Sequence, residues 1–600
     1  MTLSSSHIGR VGTFAALVAV GVLVFVVGLT VPGVDFDDRV VADTDGYMRM
    51  TRIMELRTGE AGWFESTAAR SNAPFGHGMH WTRALDVVVL ALAAPLDLFM
   101  PTADAVYAAG VAVGPLLLAA TSAAVVWAAA PLVGLRGGVV AGIAVALQPT
   151  VMAYGTVARV DHHSLLFLLF VLFLGFGLRV VRLQSPGAGA IAGVTAAAGL
   201  WVSTEFLLPL ALGIVAVTVA WLMVGEGVAR LGLWFTTAWL AATVLLLLVE
   251  RGWDGLESAD LDRISGVHVV VAGLVVLFWL AAVAASVVSR RGRLWFAVGV
   301  GGALAVLLVA LVPSFVRGPF GDVPPELWDG WLAGVAELQS LWPIGGSFAA
   351  FVYLMGAPLL AIPLAWLAAK RSSTWTRYVW WFGLAALVVL AGLSIFQLRF
   401  SAYPQILAVF ALGWMTAELL DRVGDHSDLR SAAGRVGANA LGVVGFLVPA
   451  LLVAAFPGSG GSESSTTALG CDWSRLADVV RQTDGEPVVL AHLDAGPRLL
   501  YTTDARVVAS PYHRNVDGIL DGRRFLLGDE DTARGIVERR GVSIVAVCPS
   551  RERAYLGAAA DDLSAFFGVV TSGDVPGWLM PVPASDSDDL RIFWVDRQVG

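Results

Sequence analysis

The chain has 600 residues, of which 57% are hydrophobic and only 14% charged, with a mean hydropathy of +0.73. Soluble globular chains carry about 25% charged residues, so most of this one belongs in lipid. The formal net charge of −9 gives no basis for a nucleic-acid partner, whose phosphates demand a basic face.

A membrane-crossing helix needs about 20 apolar residues. The first such stretch, Val11 to Val31, has no small-residue cleavage site after it and reads as an uncleaved span. The loop 33–86 follows. It holds Asp43-Thr44-Asp45-Gly46-Tyr47, two carboxylates spaced two apart; on an extended chain both face one way, as ligands of a hard cation do. The bland alternative is a solvated loop with an Asp-Gly turn. His77, His80 and Trp81 in the same loop line a site or decorate a surface. Val87–Met100 is apolar but short and broken by Pro95 and Asp97, and is predicted to lie at the interface without crossing.

Further spans are predicted to start near residues 105, 138, 164, 187, 206, 232, 267, 294, 346, 376, 403 and 438, about thirteen in all with the first. Asp161-His162-His163 stands at the mouth of one, where ionisable groups are costly and point to function; histidines anchoring the interface are the alternative. Glu205, after Trp201, reads equally as a cap or a functional acid. Glu337 sits in the loop 314–345. Arg399 lies between two spans in Gln397-Leu398-Arg399-Phe400-Ser401-Ala402-Tyr403. Its planar fork suits a phosphate or pyrophosphate, against the alternative of snorkelling to headgroups.

Arg136, Arg179, Arg182, Arg230, Arg290, Arg291, Arg293, Lys370, Arg371, Arg377, Arg422, Arg430 and Arg435 all fall on one side of this arrangement. The positive-inside rule makes that side cytoplasmic. Both acidic clusters, the loop 314–345 and everything after Pro457 are then expected outside. Residues 458–469, beginning Gly-Ser-Gly-Gly-Ser-Glu-Ser-Ser, read as a linker. The pattern from 470 to 600 is that of a soluble α/β domain, with strands at Val488–Ala491 and Ile544–Val547 and helices at Trp473–Gln482 and Thr532–Arg540. Cys471 and Cys548 both fall there, as a disulfide or as two free thiols.

These pieces occur in an order that resembles the catalytic subunits of oligosaccharyltransferases, membrane glycosyltransferases of the GT-C class, over nearly the whole chain. Asp45-Gly46-Tyr47 is similar to that family's first acidic motif and Asp161-His162-His163 to its second. The resemblance implies that Asp45, Asp161 and His163 hold Mg²⁺ or Mn²⁺. It gives Glu337 the role of the external-loop glutamate that approaches metal and acceptor, and sets Arg399, with Tyr403, on the donor phosphate. The expected fold is an α-helical polytopic GT-C membrane domain, residues 1–457, with a C-terminal soluble α/β domain. The family's Trp-Trp-Asp-Tyr-Gly is replaced by His492-Leu493-Asp494-Ala495-Gly496. His492 and Asp494 are therefore candidate acceptor contacts of altered specificity, and Pro511-Tyr512-His513-Arg514-Asn515 is a polar loop that contributes to a different acceptor site or forms a surface turn.

The function expected is metal-dependent transfer of a sugar or oligosaccharide from a polyprenyl phosphate- or pyrophosphate-linked donor. The acceptor is a protein, lipid or glycan on the non-cytoplasmic face of an integral, multi-pass membrane enzyme. Three rivals use the same residues differently: a lipid phosphatase or phosphotransferase, a transporter, and an inactive glycan-binding relative. Mid-span charges, which mark transporters, are scarce.

Overall fold

The computed structural model describes residues 5–31, 34–35, 38–287, 289–321, 323–342, 348–423, 428–445, 447, 471–562, 564–573, 575–583 and 589–596. The expected linker 458–469, the domain boundary at 457 and the predicted span start at 346 lie outside them. Among the described residues nine helices are long and apolar enough to cross a membrane. The 45-residue helix Thr102–Ala146 turns at Gly134, whose φ of 74° only glycine adopts freely. It thereby contains the two spans predicted from 105 and 138. Helices also occupy the other predicted starts, including the shorter apolar Pro186–Val202 and Ala402–Val423, while the one near 438 falls in Leu429–Val444, with most of its continuation undescribed.

The segment expected to lie at the interface is a 13-residue helix, Ala84–Leu96, with Pro95 near its end. It braces the helix Thr44–Thr58 through Asp86, a fully buried carboxylate paired with Arg49 at 3.1 Å and Arg83 at 3.2 Å. Removing one partner of such a pair strands a charge, at a cost of about 3–5 kcal/mol. Elsewhere small residues let spans touch. A Cβ on Gly137 would sit 2.5 Å from the Gly413 carbonyl, and one on Gly413 equally close to that of Gly137, so two backbones pack directly where either side chain would wedge them apart.

The C-terminal part forms a five-stranded sheet. Val488–Leu490 lies between Arg506–Val507 and Ile544–Val547, parallel to both. Arg591–Val595 then pairs antiparallel with Ile544–Val547, and Leu579–Pro581 closes the far edge. Ile544–Val547 is buried at every residue because helices and loops cover both faces, which is why it reads as an unbroken apolar run. The helices expected at 473–482 and 532–540 occupy Trp473–Arg481 and Glu530–Arg540. Cys471 and Cys548 form a disulfide.

The sheet's Arg506 edge is not left open to solvent. Residues 70–73 of the loop after the first span run along it, with Val507 N donating to Arg70 O at 2.8 Å and Ala73 N to Val507 O at 2.9 Å. An edge covered this way cannot recruit a foreign strand. From the other side, Leu327 of the loop 314–345 packs on Ile519 and Leu520, and Arg524 pairs with Glu326 at 2.7 Å. Described residues of both loops, 33–86 and 314–345, are thus held by the C-terminal domain.

Candidate functional site

Two helix N-termini converge at the end of the helix bundle that faces this domain. Asp43 caps Thr44–Thr58, its Oδ1 accepting from Gly46 N at 2.7 Å. The spacing expectation is corrected here: Asp45 sits in the first helical turn, not on extended chain, and the Asp43 carboxylate is held by the cap. Gly46 follows from the tightness of that cap, since a Cβ there would lie 3.1 Å from Asp43 Oδ1. Asp161 caps His162–Leu183, accepting from His163 N at 2.9 Å and standing 2.8 Å from His163 Nδ1. Helix N-termini carry a partial positive charge and draw acids and anions.

Three more elements close the site. Arg159 bridges the caps, its Nε 3.1 Å from Asp43 and its Nη2 3.8 Å from Asp161, with the guanidinium over the Tyr154 ring. The Tyr154 hydroxyl donates to Glu337 Oε1 at 2.5 Å, which brings in the acid of the loop 314–345. Glu337 lies in the short 3-10 turn Ala336–Leu338. Behind them, Arg399 donates from Nη2 and Nε to Glu205 Oε2 at 2.9 and 3.2 Å. His163 Nε2 is 3.7 Å from the same oxygen. Tyr403 is buried against Phe167 and Phe170.

The electrostatics are dominated by crowded acid. Burial, then the charges of Asp43, Asp161 and Glu337, push the Asp45 carboxyl well above its ordinary range. Burial and Asp161 also raise Asp43. For Asp161 burial works in the same direction, but the charge and hydrogen bond of His163, with His162 and Arg159, outweigh it and hold the group far down. Burial weakens the Arg399 cation, and Glu205 more than compensates.

His163 Nε2 and Tyr403 Oη are buried and both turn toward the Glu205 carboxylate, which also holds Arg399. The ligand atoms of Asp161, His162 and His163 all lie within 4.8 Å of one another. Together with the surplus of carboxylates, this donor set fits a divalent cation.

Most of the sequence-predicted residues therefore meet: Asp45, Asp161, His163, Glu337, Arg399 and Tyr403. Asp494 and His492 do not join them. The partners of Asp494 are Arg551 at 3.5 Å and His492, within a separate polar group that includes the buried Glu552. Glu205 is no cap, because Ser203 Oγ takes the backbone N–H there; its carboxylate serves Arg399. His77 and Trp81 are buried, not surface residues. Sequence reasoning missed Arg159 and Tyr154. The signal available was a lone arginine two residues before an acidic motif.

No family model matches the chain, and no curated protein does. Three solved structures of an oligosaccharyltransferase from Archaeoglobus fulgidus are similar to it. AglB in complex with an inhibitory peptide and a dolichol-phosphate aligns with a TM-score of 0.70 at 13% identity, over 98% of this chain and 74% of that one. The form with a tethered acceptor peptide containing the NVT sequon aligns at 0.64 and 13%, over 98% and 74%. The complex with Zn and sulfate aligns at 0.63 and 12%, over 92% and 69%. Fold and site define the class: a polytopic membrane protein with an acidic centre braced by arginine. Its fold is that of the archaeal oligosaccharyltransferases, as the sequence motifs led one to expect.

Proposed function

We propose that the protein transfers a sugar or oligosaccharide from a polyprenyl phosphate- or pyrophosphate-linked donor to an acceptor outside the cytoplasm, with a divalent cation at the acidic centre. The observation that carries this reading is the convergence of Asp43, Asp45, Asp161 and Glu337 at one end of the helix bundle, with Arg399 beside them. Asp45, Asp161 and His163 would hold the cation, with His162 close enough to share in it. Imidazole among the ligands favours Mn²⁺ over Mg²⁺. Once bound, the cation neutralises charge on the departing phosphate and on the carboxylates.

The chain's own residues supply the rest. Glu205 holds the Nε/Nη2 edge of the Arg399 guanidinium and leaves the Nη1/Nη2 edge for the donor phosphate, so the fork meets its anion already oriented. Tyr154 fixes Glu337 through one carboxylate oxygen, and Glu337 or Asp45 orients the incoming nucleophile. The site lies at the bundle end opposite the basic loops, which the positive-inside rule places away from the cytoplasm. A polyprenyl tail can stay in the bilayer there while the acceptor approaches from water. The similarity to a protein solved with dolichol-phosphate supports the donor class.

Mass spectrometry of envelope glycoconjugates from cells with and without the protein tests the reading. A glycan that disappears with the protein supports it. Unchanged glycoconjugates together with altered lipid phosphates would favour a lipid phosphotransferase.

A further inference from the structure

The helix that presents Asp45 carries a buried charge that nothing meets. Arg52, further along Thr44–Thr58, is only 5% exposed. Its Nη1 is enclosed with no hydrogen-bond partner, and among the described residues it forms no ion pair. The acids around it are committed elsewhere. Asp86 gives one oxygen to Arg49 at 3.1 Å and the other to Arg83 at 3.2 Å. Glu250 accepts from the Arg83 backbone N–H at 2.9 and 3.1 Å and from Trp201 Nε1 at 2.7 Å. Glu55, one turn beyond Arg52, is held by Arg70 at 3.3 Å.

The guanidinium groups of Arg49, Arg52 and Arg83 therefore share the carboxylates of Asp86 and Glu250, and the cations are in excess. Burial lowers the Arg52 guanidinium to about 10, against the pull of Asp86, so it is still charged at neutral pH. A buried charge is costly unless it is paired. Arg49, three residues earlier on the same helix, makes this one costlier, since side chains at that spacing are neighbours and like charges repel. Buried polar groups are almost always satisfied, and an exception this expensive calls for a partner.

We infer that Arg52, with Arg49 and Arg83 beside it, anchors an oxyanion site that takes a carboxylate, sulfate or phosphate group. The planar fork of a guanidinium matches two oxygens of such a group. Seven residues of helix rise about 10 Å and come about 20° short of two full turns, so Arg52 stands on the same face as Asp45. On the transferase reading above, an acidic substituent of a glycan held at the acidic centre lies in that direction. A free inorganic anion is the other source of the same chemistry.

The test is calorimetric titration of the purified full chain with inorganic phosphate, sulfate and glucuronate at constant chloride, with N-acetylglucosamine as the neutral control. Wild type, Arg52→Met and Arg52→Lys are compared, and melting temperatures are recorded with and without each anion. The inference expects saturable one-to-one binding of at least one anion by wild type and none of the neutral sugar. Arg52→Met should bind that anion at least about tenfold more weakly, and Arg52→Lys, which keeps the charge without the fork, should fall between them. The anion should raise the melting temperature of wild type and not that of Arg52→Met. Without anion, Arg52→Met should melt no lower than wild type, because an apolar side chain of similar length replaces an unpaired charge. Preference for glucuronate identifies the acidic sugar as the source, and preference for phosphate or sulfate the inorganic group; both keep the site. Absence of saturable anion binding by wild type overturns it, and so does equal binding by wild type and either folded variant. Binding is read without turnover, so the site stands or falls separately from the transferase reading.

Discussion

At the scale of single residues, the site turns on how buried charges are braced. Arg399 and Glu205 illustrate it: Glu205 is fully buried at its side chain and Arg399 is 22% exposed. Deleting the arginine would leave a carboxylate stranded, at a cost of several kcal/mol, and would confuse structure with chemistry. Arg399→Lys keeps the charge and loses the fork. The expected result is a fall in kcat/KM of roughly tenfold to a hundredfold for the lipid-linked donor, with the melting temperature little changed, because Lys cannot make the two parallel bonds a phosphate accepts. Asp45, Asp161, His163 and Arg399 stood out in the sequence as candidates because charged groups at the ends of apolar spans are costly, and Glu337 only through the family resemblance; the structure brings the five to one end of the bundle. Their bracing was not legible. Arg159, Tyr154 and the orientation of Glu205 come from elements far apart in the chain, and no local spacing encodes which of them meet.

At the scale of elements, the helix starts were read well because a 20-residue apolar run has one solution in lipid. The error at Asp43–Asp45 came from taking a polar loop as extended, when Asp43 followed by Gly46 made an N-cap whose geometry turns Asp45 onto a helix. The helix Pro549–Leu556 carries a separate consequence. Burial, then the charge of Asp494, pushes the Glu552 carboxyl up to about 8. A raised carboxyl pKa means the folded domain holds a proton that the unfolded chain releases above about pH 4.3. Its contribution is therefore present at low pH and is lost as pH rises through about 8. Glu552→Gln should leave the melting temperature at pH 5 nearly unchanged and raise it at pH 8 and above, by the equivalent of about 2–4 kcal/mol. Melting curves of the full chain at the two pH values check this; an equal effect at both would show that Glu552 is ionised throughout.

At the scale of the whole molecule, the loop 33–86, the loop 314–345 and the C-terminal domain act as one cap over the acidic centre. Strand and helix positions in that domain could be read from apolar runs, but its docking through Arg70–Ala73 and His513–Arg514 joins segments 251 or more residues apart and left no periodic trace. The orientation proposed for the cap predicts that Glu60→Cys, in the exposed part of the first loop, reacts with an impermeant thiol reagent in intact cells. Ser373→Cys, between two spans at the basic end, should react only after lysis; the reverse pattern would put the site on the cytoplasmic face. The central claim is that a cation held by Asp45 and its neighbours drives sugar transfer from a lipid-linked donor, and one assay reaches it most directly. Purified protein is incubated with a labelled polyprenyl-phosphate- or pyrophosphate-linked sugar and an envelope extract as acceptor, after exhaustive EDTA treatment and again with Mn²⁺ restored. The account predicts no transfer with EDTA, recovery with Mn²⁺, and at least about a hundredfold less transfer by Asp45→Ala than by wild type once Mn²⁺ is restored. Transfer that survives chelation, or that Asp45→Ala leaves intact, would contradict it.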